Sequence, residues 1–495
     1  MLVFIMNFTP LFLPNLLIPK QRQPARSVQQ AWADELAKLK QKSFSQLGEC
    51  FGKFIPSQYL DSAESGSLSR NRIFSKKNTF WAFLSQVVDA DGGCKEVVRK
   101  FQAFVAMRAG KTLSSSTSAY CQARKNIEEG SLKSILEYLS QQLSRAACAE
   151  RLQGRRVIVA DGTGVSMPDT EENQKVWPQQ KNQKPGCGFP QAAICACFNL
   201  ANGALLSYEL GNKKSHELPM LRKQWGMFKE GDIFLGDKGF CSYYDQSSFK
   251  DRGVDSVVTL ARRKPVTAAE SLKVIAENDL LIQWHKPKHN KHSSYSKEEW
   301  EALPETLPLR QIKVTVDQAG FRVKSFYIVT TLLDPKLYPT DEIADLYFER
   351  WDVELFFRDI KTTMGMDILR CKTPEMIRKE ILMHMIAYNC IRILIVHATT
   401  GTETNTRRIS FKGSLQAVRQ WEPHLNQGNT PSKKQRDLIR LLYESIAACI
   451  VIDRPGRSEP RAVKRRPKPY RLLTTQRHKM IILKYPAKSA KNCLS

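Results

Sequence analysis

Two short apolar runs, each stopped by an aspartate, constrain this chain more than any other feature. Val157 to Ala160 runs into Asp161-Gly162-Thr163, and Ile233-Phe234-Leu235 runs into Gly236-Asp237. Continuous apolar runs of this length read as strands covered on both faces, as in α/β sheets. Carboxylates at strand ends of an open α/β sheet converge on one cleft. The neighbouring segments fit the same class. Ala192 to Leu200 and Ala204 to Leu210 are joined by Ala201-Asn202-Gly203, and Asn-Gly between apolar runs is a hairpin signal. A helix capped by Ser215 then runs through Leu218, Leu221 and Trp225, a second passes Tyr244 and Phe249, and Ser256 to Leu260 reads as a further strand.

The 495 residues, of which 42% are hydrophobic, suffice for about three domains and a sizeable core. Met1 to Pro19 is apolar but lacks a charged start and a small-residue cleavage site, and Pro10, Pro14 and Pro19 interrupt any helix. Residues 1–29 therefore read as a disordered leader rather than a signal peptide or membrane span. Residues 30–150 read as a helical domain, from the apolar spacing of Ala31 to Leu39, Phe80 to Val88, Lys95 to Met107 and Leu132 to Leu143, with the Ser-rich Leu113 to Ser118 as turn and cap. The core spans 151–265 and resumes at 326–400. Between them, Leu280 to Trp284 and Ile312 to Val316 predict a β-rich insertion over 266–325.

The tip of that insertion carries His285, His289 and His292 with Lys286, Lys288 and Lys291. No carboxylate or cysteine completes a metal site there, so it reads as a solvated basic loop. The spacing next predicts one long helix from Thr340 to Met364 and another over Pro374 to His397, with Thr373 as cap and proline in the first position. The second is apolar nearly all round, but His384, Asn389 and Arg392 mark it as a buried helix of a soluble protein rather than a membrane span. Residues 401–495 hold a helical pattern, Gln435 to Ile452, and a basic tail.

Charge narrows the partners. The chain has 76 Lys+Arg against 49 Asp+Glu, a formal net charge of +27. Such a surplus attracts polyanions, of which nucleic acid is the commonest, although ribosomal and membrane-surface proteins share the property. The tail, 451–495, carries 13 Lys+Arg and 2 Asp+Glu. None of the twelve cysteines forms a C-x-x-C pair or a zinc array. Cys195 and Cys197 read as small buried strand residues, and reduced thiols in an intracellular protein follow.

The helix expected around Tyr347 carries the chemistry. At about 100° per residue, Tyr347, Arg350, Glu354 and Lys361 share one stripe, bordering the apolar stripe of Leu346, Val353, Phe357 and Ile360. An amphipathic helix with an Arg350–Glu354 ion pair would account for this without chemistry. Asp161 and Asp237 supply the second reading. Each is by itself an ordinary turn or cap residue. With Glu354 they offer hard oxygen ligands for two Mg²⁺ ions, or Mn²⁺ in their place, roughly 3.5 to 4 Å apart. That arrangement is a two-metal phosphodiester site.

Tyr347, Arg350, Glu354 and Lys361 also reproduce the Y-x2-R-x3-E-x6-K signature, and here the chain resembles the bacterial insertion-sequence family four DDE transposases. Asp161-Gly162-Thr163, Gly236-Asp237-Lys238-Gly239-Phe240, the segment Ser116 to Arg124 and the tail Arg457 to Pro469 are similar to that family too. The resemblance covers about residues 75–475. It implies an α/β, ribonuclease H-like catalytic core interrupted by the β-rich insertion, with a helical N-terminal DNA-binding domain and a basic C-terminal region.

The family's catalytic and metal-binding triad maps onto Asp161, Asp237 and Glu354, and Tyr347, Arg350 and Lys361 would contact DNA phosphates. The resemblance implies cut-and-paste transposition by a homodimer on double-stranded DNA, both terminal inverted repeats and target, in the bacterial cytoplasm at the nucleoid. Trp351 and Trp284 are candidates for stacking on an extruded base, with packing roles as the alternative. Lys238 departs from the family, where arginine more often follows the second aspartate; the cation is kept but the bidentate fork is lost. A catalytically silent DNA-binding protein derived from a transposase, or a stand-alone nuclease, is the other reading, and the intact triad and basic flanks distinguish the first.

Overall fold

The computed structural model of the chain describes residues 51–452 and Gln476, apart from position 53 and the stretches 62–67, 69–72, 91, 110–112, 147–151, 181–182, 213–214, 262–263, 290–294, 317–324 and 426–431. The leader, the helix expected at Ala31 to Leu39, the basic tail, and Lys291 and His292 of the loop tip lie outside the described residues.

Four helices come first: α1 (Lys76–Val88), α2 (Cys94–Ala109), α3 (Ser118–Lys125) and α4 (Glu129–Leu143). Then follow β1 (Val157–Ser166), α5 (Glu171–Val176), β2 (Gln191–Asn199), β3 (Leu205–Asn212), α6 (Glu217–Arg222), β4 (Ile233–Gly236), α7 (Tyr243–Asp251) and β5 (Asp255–Thr259). The segment 266–325 contributes β6 (Lys273–Ala276), β7 (Asp279–His285), α8 (Lys297–Glu301) and β8 (Thr306–Thr315), and β9 (Ser325–Thr330) leads out of it. The chain continues with α9 (Thr340–Glu349), α10 (Asp352–Arg358), a π-helical turn (Asp359–Thr363), α11 (Pro374–Thr399), α12 (Phe411–Leu425) and α13 (Ser432–Ala447).

Among the described residues all nine strands form one sheet in the order β3-β2-β1-β4-β5-β9-β8-β7-β6. Its centre, β1-β4-β5, is parallel, and the other pairings are antiparallel. The strands between 266 and 325 thus extend the central sheet, because β8 pairs with β9 and β9 with β5.

Period-two alternation sorts β1 between two cores. Val157 and Val159 pack on one face with α1, α4, α9, α10 and α11, whereas Ile158 and Ala160 pack on the other with α6, α7, Trp284 and Trp300. Cys195 and Cys197 are fully buried in β2, as expected, and all nine described cysteines are free. Helix α11 is long and apolar enough to cross a membrane, but it is buried inside the protein. Its polar residues meet the sheet. The Asn389 amide accepts from the Leu205 N–H (3.0 Å) and donates to the Leu205 carbonyl (2.9 Å), satisfying the backbone where β3 begins.

Four expectations need correction. Strand β1 does not stop at Asp161-Gly162-Thr163 but runs on to Ser166, because β2 pairs with it along that length, from Asp161↔Ala196 to Ser166↔Gln191. The helix after β3 begins at Glu217 with His216 as its N-cap; Ser215 Oγ instead accepts the Asn212 N–H at 3.1 Å. A further helix, α12, precedes the one expected near Gln435.

The helix expected over Thr340 to Met364 is broken at Arg350-Trp351. Around the break the N–H groups of Arg350, Val353 and Glu354 bond to carbonyls three residues back, each at 3.1 Å. This is the tighter 3₁₀ spacing. Arg407 fastens the break from outside, reaching Glu349 Oε2 at 2.8 Å and Asp352 Oδ2, with its Nε at 3.0 Å from the latter. The five-residue turn that follows closes with Met364 N–H on the Asp359 carbonyl (3.0 Å), and Arg392 Nη2 of α11 holds Asp359 Oδ2 at 3.1 Å.

Candidate active site

Asp161 and Asp237 come from adjacent parallel strands. The last register pair between β1 and β4 is Val159↔Leu235, and two residues further along both chains stand Asp161 and Asp237, level with each other. By alternation with Val157 and Val159, Asp161 faces the core that contains α9 and α10. Each carboxylate is oriented by its own backbone. Asp161 Oδ1 accepts the Gly162 N–H (2.7 Å), and Asp237 Oδ1 accepts the Gly239 N–H (2.7 Å) as cap of the turn Lys238–Phe240.

Burial pushes the Asp161 carboxyl up, the charges of Asp237 and Glu354 push the same way, and the Gly162 N–H and Arg350 oppose them. Three carboxylates on two strands and a helix therefore share one electrostatic neighbourhood. Glu354 itself is exposed on α10.

A fourth carboxylate stands nearby that the sequence reading passed over. Glu217 opens α6 on the opposite sheet face, and a Cβ built on Gly162 would lie 1.9 Å from its Oε1. One built on Gly239 would lie 3.5 Å from its Oε2. Burial, then the charges of Asp161 and Asp237, raise the Glu217 carboxyl. The signal was present in Gly162 directly after Asp161, a missing side chain in a strand, which marks a close approach by another group.

The signature residues cluster here too. The hydroxyl of the buried Tyr347 accepts from Thr259 Oγ1 at the end of β5, and burial raises its phenol. Lys361, in the π-helical turn, donates to Thr163 Oγ1 at 2.9 Å, two residues beyond Asp161. Arg350 is only 7% exposed, lies over the Trp351 ring at 4.7 Å, and its Nε has no hydrogen-bond partner. Among the ion pairs of the described residues there is none between Arg350 and Glu354, so the plain amphipathic-helix account fails.

The remaining candidates divide. Trp351 is 47% exposed and Lys238 is exposed beside Asp237, whereas Trp284 is 4% exposed in the core beneath β7. Trp284 is a packing residue in this structure, because the inward face of β7 is covered by the segment around Trp300. Among the described residues no three His, Cys, Asp or Glu side chains converge tightly enough to enclose an ion. The donor set nonetheless fits hard divalent cations: all oxygen, mutually repelling, with the space a side chain at Gly162 would fill taken by the Glu217 carboxylate.

Residues 152–390 match the family model described as Transposase DDE domain. The transposase InsG for insertion sequence element IS4 of Escherichia coli strain K12 is 24% identical over 412 residues, which cover 82% of this chain and 89% of that protein. The transposase for insertion sequence element IS421 of Escherichia coli is 33% identical over 60 residues, 12% of this chain and 16% of that protein.

Proposed function

We propose that the chain is a DDE transposase of the IS4 insertion-sequence family and that it cuts and joins DNA with Asp161, Asp237 and Glu354 as its catalytic triad. As a transposase it acts on the phosphodiester backbone at insertion-sequence ends. The proposal extends to two Mg²⁺ ions, replaceable by Mn²⁺, a homodimer on paired terminal inverted repeats, and action at the bacterial nucleoid. The α/β core is read as ribonuclease H-like, over 151–265 and 326–400, interrupted by 266–325. The helical residues 30–150 are its DNA-binding domain, and 401–495 its helical and basic C-terminal region.

The observation that carries this reading is the level pair Asp161 and Asp237 on adjacent parallel strands, with the helix of Glu354 facing them. Asp161, Asp237 and Glu354 would hold the divalent ions through carboxylate oxygens. When bound, such ions activate a water or 3′-hydroxyl and stabilise charge on the leaving oxygen.

The protein's own groups orient the strand. Arg350, buried and with a free Nε, suits a phosphate oxygen at the edge of the cleft. Lys361, tied to Thr163, places an ammonium beside the β1 carboxylate, where a scissile phosphate would need a counter-charge. Tyr347 positions α9 against β5 through Thr259 and adds a phenol near the same path. Trp351 offers an exposed ring for an unstacked base, and Lys238 a second phosphate contact.

The test is strand cleavage of a labelled transposon-end duplex with Mg²⁺ or Mn²⁺, comparing the wild type with Glu354→Ala and Asp237→Asn at matched DNA binding. Metal-dependent cutting that disappears in both variants while binding persists is the expected result. Binding without cutting by the wild type would instead favour a catalytically silent DNA-binding protein.

A further inference from the structure

We propose that Glu217 is a fourth carboxylate of the divalent-metal site, reaching it from the sheet face opposite Glu354. The inference rests on the reading of Asp161 and Asp237 as metal ligands.

Glu217 is the first residue of a short helix, and an acidic residue in that position is ordinarily a solvated partner of the helix dipole. Here the side chain turns inward. Its Oε1 occupies the volume that any side chain at position 162 would fill, 1.9 Å from an ideal Cβ, and its Oε2 stands 3.5 Å from the Cβ position of Gly239. Those two glycines directly follow Asp161 and, two residues on, Asp237. Glu217 thereby lies beside the glycines that follow the two aspartates, within electrostatic reach of both.

No side-chain hydrogen bond or ion pair neutralises it among the described residues, although the chain carries a surplus of 27 positive charges. A half-buried carboxylate within electrostatic reach of two others is costly unless a cation joins them. Arg350 gives a separate sign that the cleft takes a charged ligand. It is more than nine-tenths buried, acts electrostatically on Asp161, and leaves its Nε without a partner. An anionic strand on the Arg350 side and divalent ions among the carboxylates would satisfy both sets of groups together.

Glu217 would add its carboxylate oxygens to those of Asp161, Asp237 and Glu354. The alternation of β1 allows it: Asp161 faces α10 while Gly162, lacking a side chain, opens the opposite face to α6.

The experiment is a Mn²⁺ titration of the full chain, reading free Mn²⁺ by electron paramagnetic resonance, with no DNA and no turnover required. Wild type, Glu217→Gln, Asp237→Asn and the control Glu172→Gln on the exposed start of α5 are compared, each checked for its melting transition in EDTA. The expected result is at least a tenfold weakening of one Mn²⁺ in Glu217→Gln, with Glu172→Gln like the wild type. Glu217→Asp, which keeps the charge on a shorter arm, should weaken the same ion and stands in if the amide does not fold. Wild-type Mn²⁺ binding in Glu217→Gln together with loss in Asp237→Asn would overturn the inference and leave the metal-site reading standing. Undiminished binding in Asp237→Asn as well would overturn both.

Discussion

Arg310 and Asp279 form an ion pair in which neither side chain has any exposure to solvent, joining β8 to β7. The Arg310 guanidinium also donates to the carbonyls of Leu332 (3.2 Å) and Tyr338 (2.8 Å), and Asp279 Oδ2 accepts from Thr340 Oγ1 at 2.7 Å. The strands of the insertion are thereby fastened to the first residue of α9, the helix that carries Tyr347 toward the site. The segment 266–325 is thus a support for α9 as well as an extension of the sheet.

Removing one partner of that pair leaves an uncompensated buried charge. Asp279→Ala should cost on the order of 3 to 5 kcal/mol of stability. Replacing both, as Asp279→Leu with Arg310→Met, should cost less than the single change. Urea denaturation of Asp279→Leu, Arg310→Met and the double variant measures this, and an additive double would refute it.

Asn389 gives a second stability prediction. Asn389→Leu strands the N–H of Leu205 at a fully buried position and should destabilise the protein by about 1 to 3 kcal/mol. Ser140 Oγ still donates to the Leu205 carbonyl at 2.9 Å, so the loss falls on the N–H. Equilibrium unfolding reads the cost, and amide exchange at Leu205 locates it.

His384 predicts an acid-sensitive stability. It is buried in α11 with its Nδ1 unpartnered, and burial, aided by Arg370, pushes its pKa down to about 3. The unfolded chain protonates this imidazole near its ordinary pKa of about 6.5, whereas the folded chain does not. Stability contributed by the neutral form is full above about pH 6.5 and falls as the pH drops toward 3, on the order of 2 kcal/mol between pH 7 and pH 5. His384→Gln should remove that part of the slope. Denaturation midpoints at pH 7 and pH 5 that shift equally in variant and wild type would contradict the assignment.

The Lys361–Thr163 bond separates positioning from charge. Thr163→Val should slow single-turnover cleavage by about tenfold, the worth of one hydrogen bond of roughly 1.5 kcal/mol, with DNA binding unchanged. Lys361→Ala, which also removes the ammonium, should lose more and bind DNA more weakly. Equal rates for Thr163→Val and wild type would show that Lys361 needs no anchor.

Salt should report the basic tail. Residues 451–495 hold 13 Lys+Arg against 2 Asp+Glu, and binding should weaken by close to one log unit per log unit of salt for each phosphate contacted. A chain ending at Ile452 should therefore show a shallower salt slope with its preference for transposon ends retained. An unchanged slope would place the phosphate contacts elsewhere.

Much of the architecture was legible because it is local. The apolar runs of β1, β4 and β5, the Asn-Gly link between β2 and β3 and the capped start of α11 depend on neighbours a few residues apart, where periodicity and turn chemistry act directly. The spacing of Tyr347, Arg350, Glu354 and Lys361 was legible in the same way. Their angular arithmetic was not, because it assumed a continuous helix. Arg407, more than fifty residues later, fastens Glu349 and Asp352 on either side of the break, and Arg392 holds the π-helical turn through Asp359.

The amino-acid pattern by itself determined an α/β sheet with an aspartate after each of two apolar strand runs and a charged helix to follow, since burial periodicity is written in adjacent residues. The tertiary structure alone decided that β1 continues past Asp161, that the inserted strands join the same sheet, and that Glu217 lies against Gly162. Each of these turns on a partner far along the chain: a ladder supplied by β2, an edge offered by β9, and a gap left where one strand residue has no side chain.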